Sequence, residues 1–387
     1  MTAEEKDRLY IASTYSRFPL RLVRGEGRTV YDAEGKCYLD LASGIGVNIF
    51  GYGDKEWMAA VTGQLGALQH ASNLYYTDPC IALAEALSLR TGMKKVFFCN
   101  SGAEANECAI KAARKWGEEH KGEGYYNIVT LKGGFHGRTL AALAATGQEE
   151  YHKDFLPLTP GFVTVSTEDA EGLENALAGN KCAAVMLETV QGEGGVIPLS
   201  EGYLRAAADI ARRHDVLLIV DEVQTGMGRT GAFYSYMHFG LQPDIVTSAK
   251  GLGGGLPIGA VLFGERTEDV LTPGTHGSTF GGNPVVTAGA LNIVSRLTPE
   301  FLAEVSRKGE KIASALTGAK GVKAVTGRGL MLGVLTEKPA GEVISALREE
   351  GVLVIKAKDK VRLLPPLNIT DDEIDFAVRA IKKVCAQ

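Results

Sequence analysis

The sequence lacks any apolar run long enough to cross a bilayer, and its charged first ten residues have no apolar core of the signal-peptide kind. An excess of positive charge is also missing, because 46 acidic residues against 41 basic ones give a formal net charge of −5. A nucleic-acid-binding chain would show a basic face instead. These absences predict a cytoplasmic protein with neither a membrane nor a nucleic acid as its partner.

Metal-binding and disulfide patterns are missing as well. The six cysteines form no C-x-x-C pair, and the seven histidines are scattered without ligand spacing. We therefore expect no metal, and we interpret the cysteines as small core residues in a reducing compartment. Glycine, in contrast, is abundant at 48 residues, which suits an enzyme with many close backbone approaches.

Strand and helix patterns alternate from about residue 80. This order predicts an α/β fold with a mostly parallel central sheet, helices on both faces, and a smaller α+β domain. We predict an N-terminal segment (1–45) with a hairpin at 28–40 that packs with the small domain, a large domain (46–282) and a C-terminal small domain (283–387). The expected strands are nearly continuous apolar runs: 96–99, 127–131, 183–187, 216–220, 245–247 and 260–263 in the large domain, and 322–326, 332–335, 352–355 and 361–364 in the small one.

Lys250 stands at the end of the apolar strand 245–247 and runs directly into a glycine-rich stretch, 251–255. No acidic residue follows it within eleven positions, and lysine is rarely buried without a partner. A desolvated lysine has a lowered pKa and becomes a nucleophilic amine, the group that forms Schiff bases. An ordinary surface lysine on a loop is the alternative.

Other chemistry-bearing residues follow the strands, and ligands of open α/β sheets bind at the carboxyl ends of the strands. Ser101, Gly102 and Ala103 open a helix whose free N–H groups suit a phosphate, although a plain capped helix explains them too. Asp221 ends a run of five apolar residues, where a carboxylate is costly unless it meets a positive group. A protonated heterocyclic nitrogen would be such a group, and N-capping of a helix is the alternative.

Aromatic and charged residues complete the constellation. Phe135, held between glycines, has room for a planar partner, and Arg138 offers a fork for a carboxylate or is a solvated arginine in a turn. Glu188 and Glu193 are either ordinary loop charges or carboxylates that neutralise a neighbouring arginine. Arg362, inside an apolar strand, demands a carboxylate partner.

Small hydroxyl residues among glycines, Ser278 and Thr279, again suit a phosphate. Taken together, the lysine, the aspartate, the aromatic ring, the phosphate donors and the two arginine forks match the needs of pyridoxal 5'-phosphate. A non-catalytic phosphate-binding module is a weaker alternative, because the chain has neither a G-x-G-x-x-G helix start nor a Walker A lysine.

The chain resembles the class III (ω-amino-acid) pyridoxal-phosphate aminotransferases of fold type I, and most closely the members that act on N2-acetylornithine. Two departures from the family pattern are Thr189, where relatives usually carry proline, and residues 51–56, where they usually have a histidine-containing run. Neither touches the cofactor motifs. The resemblance covers essentially the whole chain and rests on residues 100–107, 135–139, 191–193, 221–226, 249–251 and 279–284.

The resemblance implies a role for each cofactor residue. Lys250 would form the Schiff base and carry the proton, and Asp221 would pair with the ring nitrogen. Gln224 would form a hydrogen bond with the phenolic oxygen, and Phe135 would stack on the ring. The same resemblance assigns two further residues to cofactor binding, His136 and Glu188.

Phosphate binding is implied for Ser101, Gly102 and Ala103. Ser278 and Thr279 would reach the phosphate of the neighbouring subunit, so the resemblance implies a homodimer with shared active sites.

The implied substrates are amino acids and 2-oxoglutarate. Arg138 would hold the α-carboxylate of the acyl-ornithine, and Arg362 would hold the α-carboxylate of glutamate or 2-oxoglutarate. Glu193 would shield Arg362, and Tyr15 would line the substrate mouth. The implied activity is a ping-pong transamination between N2-acetylornithine and 2-oxoglutarate that serves arginine biosynthesis. The alternatives are another ω-aminotransferase (ornithine, succinylornithine, 4-aminobutyrate or N-acyl-diaminopimelate/lysine type), or an aminomutase or decarboxylase on the same fold.

Overall fold

The structure, a computed structural model, describes residues 1–387. The helices are α1 (Ala3–Tyr10), α2 (Ser43–Gly46), α3 (Lys55–Ala67), α4 (Asp78–Thr91), α5 (Gly102–Lys121), α6 (Leu140–Ala145), α7 (Ala170–Gly179), α8 (Glu201–Arg213), α9 (Pro284–Arg296), α10 (Pro299–Leu316), α11 (Ala340–Glu349) and α12 (Asp371–Ala386). The strands are β1 (Leu22–Glu26), β2 (Thr29–Asp32), β3 (Cys37–Asp40), β4 (Lys95–Cys99), β5 (Asn127–Leu131), β6 (Phe162–Val165), β7 (Cys182–Leu187), β8 (Val190–Gln191), β9 (Ile197–Pro198), β10 (Leu217–Asp221), β11 (Ile245–Ser248), β12 (Gly259–Phe263), β13 (Val322–Arg328), β14 (Met331–Thr336), β15 (Val352–Leu353), β16 (Ile355–Ala357) and β17 (Lys360–Leu363).

A seven-stranded sheet forms the centre of the molecule, in the order β4-β12-β11-β10-β7-β5-β6. Six strands are parallel, and β12 runs antiparallel to both of its neighbours. The chain returns from β11 to β12 without an intervening α-helix, which explains the single reversal. The predicted α/β fold with a mostly parallel sheet is thus confirmed, and the edge strand β6 is an element that the sequence analysis missed.

Helix α5 lies against this sheet through a face of small residues. Ala105, Ala109 and Ala112 are fully buried, and side chains of this size let the helix approach the strands closely. The N-terminus of α5 follows β4 after two residues. That connection places the start of the helix at the carboxyl edge of the sheet.

Two smaller sheets involve the ends of the chain. One has the order β1-β2-β3-β15, and the other has the order β13-β14-β17-β16. The predicted strand at 352–355 is wrong as a single element, because β15 pairs parallel with β3 while β16 pairs with β17. A short apolar run does not reveal which sheet will provide its hydrogen-bond partners.

All six cysteines are free, and four of them are buried. None of the helices has the length and apolarity that a bilayer span requires.

Candidate active site

A cavity of about 470 Å³ opens at the carboxyl ends of β4, β10 and β11. It is the point where a parallel sheet gathers ligand-binding loops. A larger open cavity, about 1010 Å³, lies beside β6 and contains none of the predicted site residues. Nine predicted residues line the smaller cavity: Ser101, Gly102, Ala103, Phe135, His136, Arg138, Asp221, Gln224 and Lys250.

Lys250 begins a short 3-10 turn directly after β11 and has a positive φ of 47°. Positive φ is uncommon for a residue with a side chain and is concentrated at functional sites. Burial lowers the pKa of the Lys250 ammonium to about 8, and the nearby charge of Arg362 acts in the same direction. The structure therefore presents an amine that is partly neutral near neutral pH, with no carboxylate in ion-pair contact.

Asp221 is the last residue of β10 and is almost fully buried. Its Oδ2 accepts hydrogen bonds from Nδ1 of His136 and Nδ2 of Asn106, each at 2.8 Å, and its Oδ1 accepts one from the backbone N–H of Val223 at 3.0 Å. No α-helix follows Asp221, so the helix-capping alternative is wrong. Three donors thus hold this carboxylate against the cavity.

The two side chains that hold Asp221 are themselves buried. Burial alone would lower the pKa of His136, but the hydrogen bond to Asp221 and its charge outweigh burial and raise that pKa. Sequence reasoning missed the role of Asn106, which also donates to the carbonyl of His136 at 2.6 Å. The available signal was an asparagine on the small-residue face of α5, since a buried amide requires hydrogen-bond partners.

The N-terminus of α5 borders the same cavity. Ser101 is the N-cap, and its Oγ accepts from the N–H of Glu104 at 3.1 Å. The amides of Gly102 and Ala103 are the first of the helix and have no intrahelical carbonyl partner. A Cβ at Gly102 would lie 2.6 Å from Cγ1 of Val223, so glycine is required there. These groups suit an anion such as phosphate.

Arg362, on β17, is 1% exposed and finds the carboxylate that its burial demands. Its Nη1 lies 2.6 Å from Oε1 of Glu193, while its Nη2 donates to Oε1 of Gln224. Gln224 lines the cavity, whereas Arg362 and Glu193 lie just outside its lining. The structure therefore connects this arginine to the site through Gln224.

Arg138 differs from Arg362 in having no carboxylate within ion-pair distance. It is exposed at the cavity, and its guanidinium lies 4.4 Å from the centre of the Tyr151 ring and 5.7 Å from that of Phe135. The Phe135 ring meets Tyr151 edge-on with centres 5.6 Å apart. Arg138 is therefore a guanidinium available for a carboxylate ligand.

Glu188 lies behind the cavity rather than in its lining. Its Oε2 accepts from the N–H of Phe135 at 3.0 Å, and its Oε1 accepts from the N–H of Gly192 at 3.5 Å. Burial raises the pKa of this carboxyl to about 7. Glu188 thus joins the loop of Phe135 to the loop that carries Glu193.

Ser278, Thr279 and Tyr15 do not line the cavity of their own chain. Ser278 Oγ accepts from Nδ2 of Asn100 at 3.1 Å, and Asn100 does line it. Tyr15 is 74% exposed, with Arg17 over its ring. The predicted contacts of these residues with a phosphate or a substrate stay predictions.

These groups fit pyridoxal 5'-phosphate. The amine with a lowered pKa, the buried carboxylate and the open helix N-terminus face one cavity, and the buried Nε2 atoms of His136 and Gln224 lack partners in the protein. Fold and site together define a fold type I enzyme that uses this cofactor.

Comparison with known proteins agrees with this class. The family model for aminotransferase class-III matches residues 10–385, and the chain belongs to that family. The chain is 47% identical to an acetylornithine aminotransferase of Haemophilus ducreyi, over 99% of this chain and 98% of the relative. It is 44% identical to one of Caldanaerobacter subterraneus, over 100% and 99%.

Solved structures show the same relationship. The ornithine aminotransferase of Toxoplasma gondii ME49 superposes with a TM-score of 0.95 at 34% identity, covering 99% of this chain and 94% of that one. The N-acetylornithine aminotransferase of Stenotrophomonas maltophilia K279a superposes with a TM-score of 0.85 at 36% identity, covering 99% and 98%. The chain is therefore a pyridoxal-phosphate-dependent aminotransferase.

Proposed function

We propose that the enzyme moves the terminal amino group of N2-acetylornithine to 2-oxoglutarate, giving N-acetylglutamate 5-semialdehyde and glutamate. The reaction is a ping-pong transamination that serves arginine biosynthesis in the cytoplasm. The names of the similar curated relatives support this choice of substrate.

The observation that carries the proposal is the different state of the two arginines. Arg362 is neutralised by Glu193, whereas Arg138 has no carboxylate partner. A donor with one α-carboxylate and a distant amine binds that carboxylate at Arg138. Its amine then enters beside a neutralised Arg362 and is not repelled.

The second substrate is a dicarboxylate. Glu193 has 27% of its side chain exposed, so it has room to move away from Arg362. The α-carboxylate of 2-oxoglutarate then takes its place in a two-pronged hydrogen-bonded pair. One site thereby accepts a substrate with a terminal amine and a substrate with a second carboxylate in turn.

Each cofactor residue has a physical task. Pyridoxal 5'-phosphate, when bound, supplies an electron sink for the bond-breaking steps. Ser101, Gly102 and Ala103 would hold its phosphate, and Asp221 would hold its ring nitrogen in the protonated form. Lys250 would bond its aldehyde and, once released as a free amine, would carry the proton between substrate and ring.

A panel of amino donors tests the choice of substrate. The absorbance change of the cofactor in single half-reactions would be followed with N2-acetylornithine, ornithine, succinylornithine, 4-aminobutyrate and N2-acetyllysine. We expect N2-acetylornithine to react with the highest ratio of rate to apparent Kd. A higher ratio for ornithine would favour the second candidate, an ornithine aminotransferase, which the superposition on the Toxoplasma gondii enzyme supports.

We also propose that the active unit is a homodimer in which Ser278 and Thr279 approach the partner's phosphate. Asn73 Nδ2 donates to the carbonyl of Ser278 at 3.1 Å, and residues close to each of these two expose large apolar side chains. Leu74 is 87% exposed, Tyr76 97% and Phe280 60%. Exposed apolar patches of this kind mark interaction surfaces.

Light scattering after size exclusion would test the assembly. We expect twice the chain mass for the wild type and a monomer with weak cofactor retention for Tyr76→Asp. A wild-type monomer with full activity would overturn the shared site.

A further inference from the structure

Glu107, on α5, makes a contact that the cofactor chemistry does not use. Its Oε1 accepts hydrogen bonds from the hydroxyl of Thr139 and from the backbone N–H groups of Ala141 and Ala142, the last two at 3.1 Å each. It has no ion-pair partner. One carboxylate oxygen therefore binds the start of α6 from a different helix.

This contact replaces the usual helix cap. Thr139 is the N-cap of α6, yet its side chain makes no capping bond to its own helix. The first N–H groups of a helix need acceptors, and a carboxylate at the N-terminus also complements the helix dipole. Glu107 meets both needs from a distance of more than thirty residues in the sequence, so α6 has a defined position relative to α5.

The segment before α6 is equally constrained. Gly137 has φ of 143°, and a Cβ there would lie 2.9 Å from Cβ of Ala103 and 3.0 Å from Cβ of Ala142. The backbone thus passes tightly between the starts of α5 and α6. Arg138 is the next residue and leaves this passage directly into the cavity.

Tyr151 fixes the other end of the Arg138 side chain. The guanidinium lies over the Tyr151 ring, and Nε2 of His152 contacts the carbonyl of Leu143, in α6, at 2.9 Å. The backbone that carries Arg138 and the ring under its guanidinium are therefore both anchored to α6. A cation held over an aromatic face has fewer accessible positions.

We propose that Glu107 and Tyr151 are positioning residues that set the distance between Arg138 and the N-terminus of α5, and so select the length of the amino donor. The inference rests on the proposed function, in which Arg138 holds the donor's α-carboxylate. The helix start holds one end of the cofactor and Arg138 holds one end of the donor, and Glu107 on α5 ties the two together.

The test compares Glu107→Ala with Glu107→Gln, which keeps an acceptor oxygen, and with Glu118→Ala, an exposed residue on the same helix. We expect Glu107→Ala to raise the apparent Kd for N2-acetylornithine about tenfold, as the loss of about 1.4 kcal/mol would. The apparent Kd for glutamate should change less than about threefold. Glu107→Gln should recover most of the affinity, and Glu118→Ala should match the wild type.

The length preference is the second measurement. The wild type should bind N2-acetylornithine more tightly than N2-acetyllysine, which is one methylene longer. Glu107→Ala and Tyr151→Leu should reduce the ratio between the two apparent Kd values. Tyr151→Phe keeps the ring and should keep the preference. An equal loss of affinity for every donor, accompanied by a lower Tm, would mean that Glu107 is merely structural and would overturn the inference.

Different results would contradict the proposed function and the positioning inference. If the wild type does not react with N2-acetylornithine, the proposed function is wrong. If the wild type reacts and Arg138→Ala loses donor affinity while Glu107→Ala and Tyr151→Leu keep both affinity and length preference, only the positioning inference is wrong.

Discussion

Nδ1 of His136 lies 2.8 Å from Oδ2 of Asp221, and both side chains are almost fully buried. A buried carboxylate is costly unless it is hydrogen-bonded and its charge is balanced. His136 donates one such hydrogen bond, and contact with Asp221 raises the pKa of its imidazole against the effect of burial. The hydrogen bonds from His136, Asn106 and Val223 hold the Asp221 carboxylate at the cavity, where a protonated ring nitrogen would lie.

Replacing this carboxylate should impair catalysis more than folding. Asp221→Asn keeps the shape but loses the charge, and we expect kcat to fall by about 100-fold to 1000-fold. His136→Leu should have a smaller effect, because Asn106 and the Val223 N–H still bind Asp221. Steady-state kinetics and circular dichroism would check both variants. Wild-type kcat in Asp221→Asn would contradict the assigned role.

Lys250 should be the point of covalent attachment. Borohydride reduction of the cofactor-loaded protein, followed by peptide mass spectrometry, should place the label on Lys250 alone. Lys250→Ala should fold, bind the cofactor without a covalent bond and lose turnover. Without cofactor its Tm should equal or exceed the wild-type value, because the substitution removes a buried ammonium that has no ion-pair partner. Lys94→Ala, at an exposed lysine, serves as the control.

The reactivity of Lys250 should depend on pH with a midpoint near its lowered pKa of about 8. The amine reacts when neutral, so the rate at which cofactor-free protein condenses with pyridoxal 5'-phosphate should rise up to that pH and then level off. An ordinary lysine, with a pKa of about 10.4, would be less than about 1% neutral at pH 8. Stopped-flow absorbance across pH 6–10 would measure the midpoint.

Two neighbouring charges should move that midpoint in opposite directions. Arg362 lowers the pKa of Lys250 and Glu193 raises it. Arg362→Leu should therefore shift the midpoint upward, and Glu193→Gln should shift it downward. An unchanged midpoint in both variants would show that burial alone sets the pKa of this amine.

Glu193 should also control the balance between the two substrates. Glu193→Gln leaves Arg362 with an uncompensated charge, which attracts a dicarboxylate and repels a terminal ammonium. We expect KM for glutamate to fall and KM for N2-acetylornithine to rise, each by about threefold to tenfold, as for charge pairs worth about 1 kcal/mol. Glu149→Gln, at an exposed position nearby, should leave both constants unchanged. If both KM values move in the same direction, the shielding role is wrong.

The sequence alone determined the elements that depend on local pattern. Apolar runs predicted every strand of the central sheet except β6. The lysine, aspartate and glycine-rich motifs that follow those strands predicted the cofactor. Each motif lies within a few residues of its own strand, so periodicity and residue chemistry are enough to recognise it. The sequence also predicted that Arg362 has a carboxylate partner, because a charge inside an apolar strand requires one.

Only the tertiary structure decided which distant residues meet. Asn106 joins Asp221 from 115 positions away, Glu193 pairs with Arg362 across 169 positions, and residues 352–355 divide between two sheets. Hydrogen-bond partners and ion pairs between distant residues depend on how whole helices and strands pack. The order of residue types along the chain does not show that packing directly. The tertiary structure therefore decided that Arg362 has a carboxylate partner in Glu193, whereas Arg138 has none.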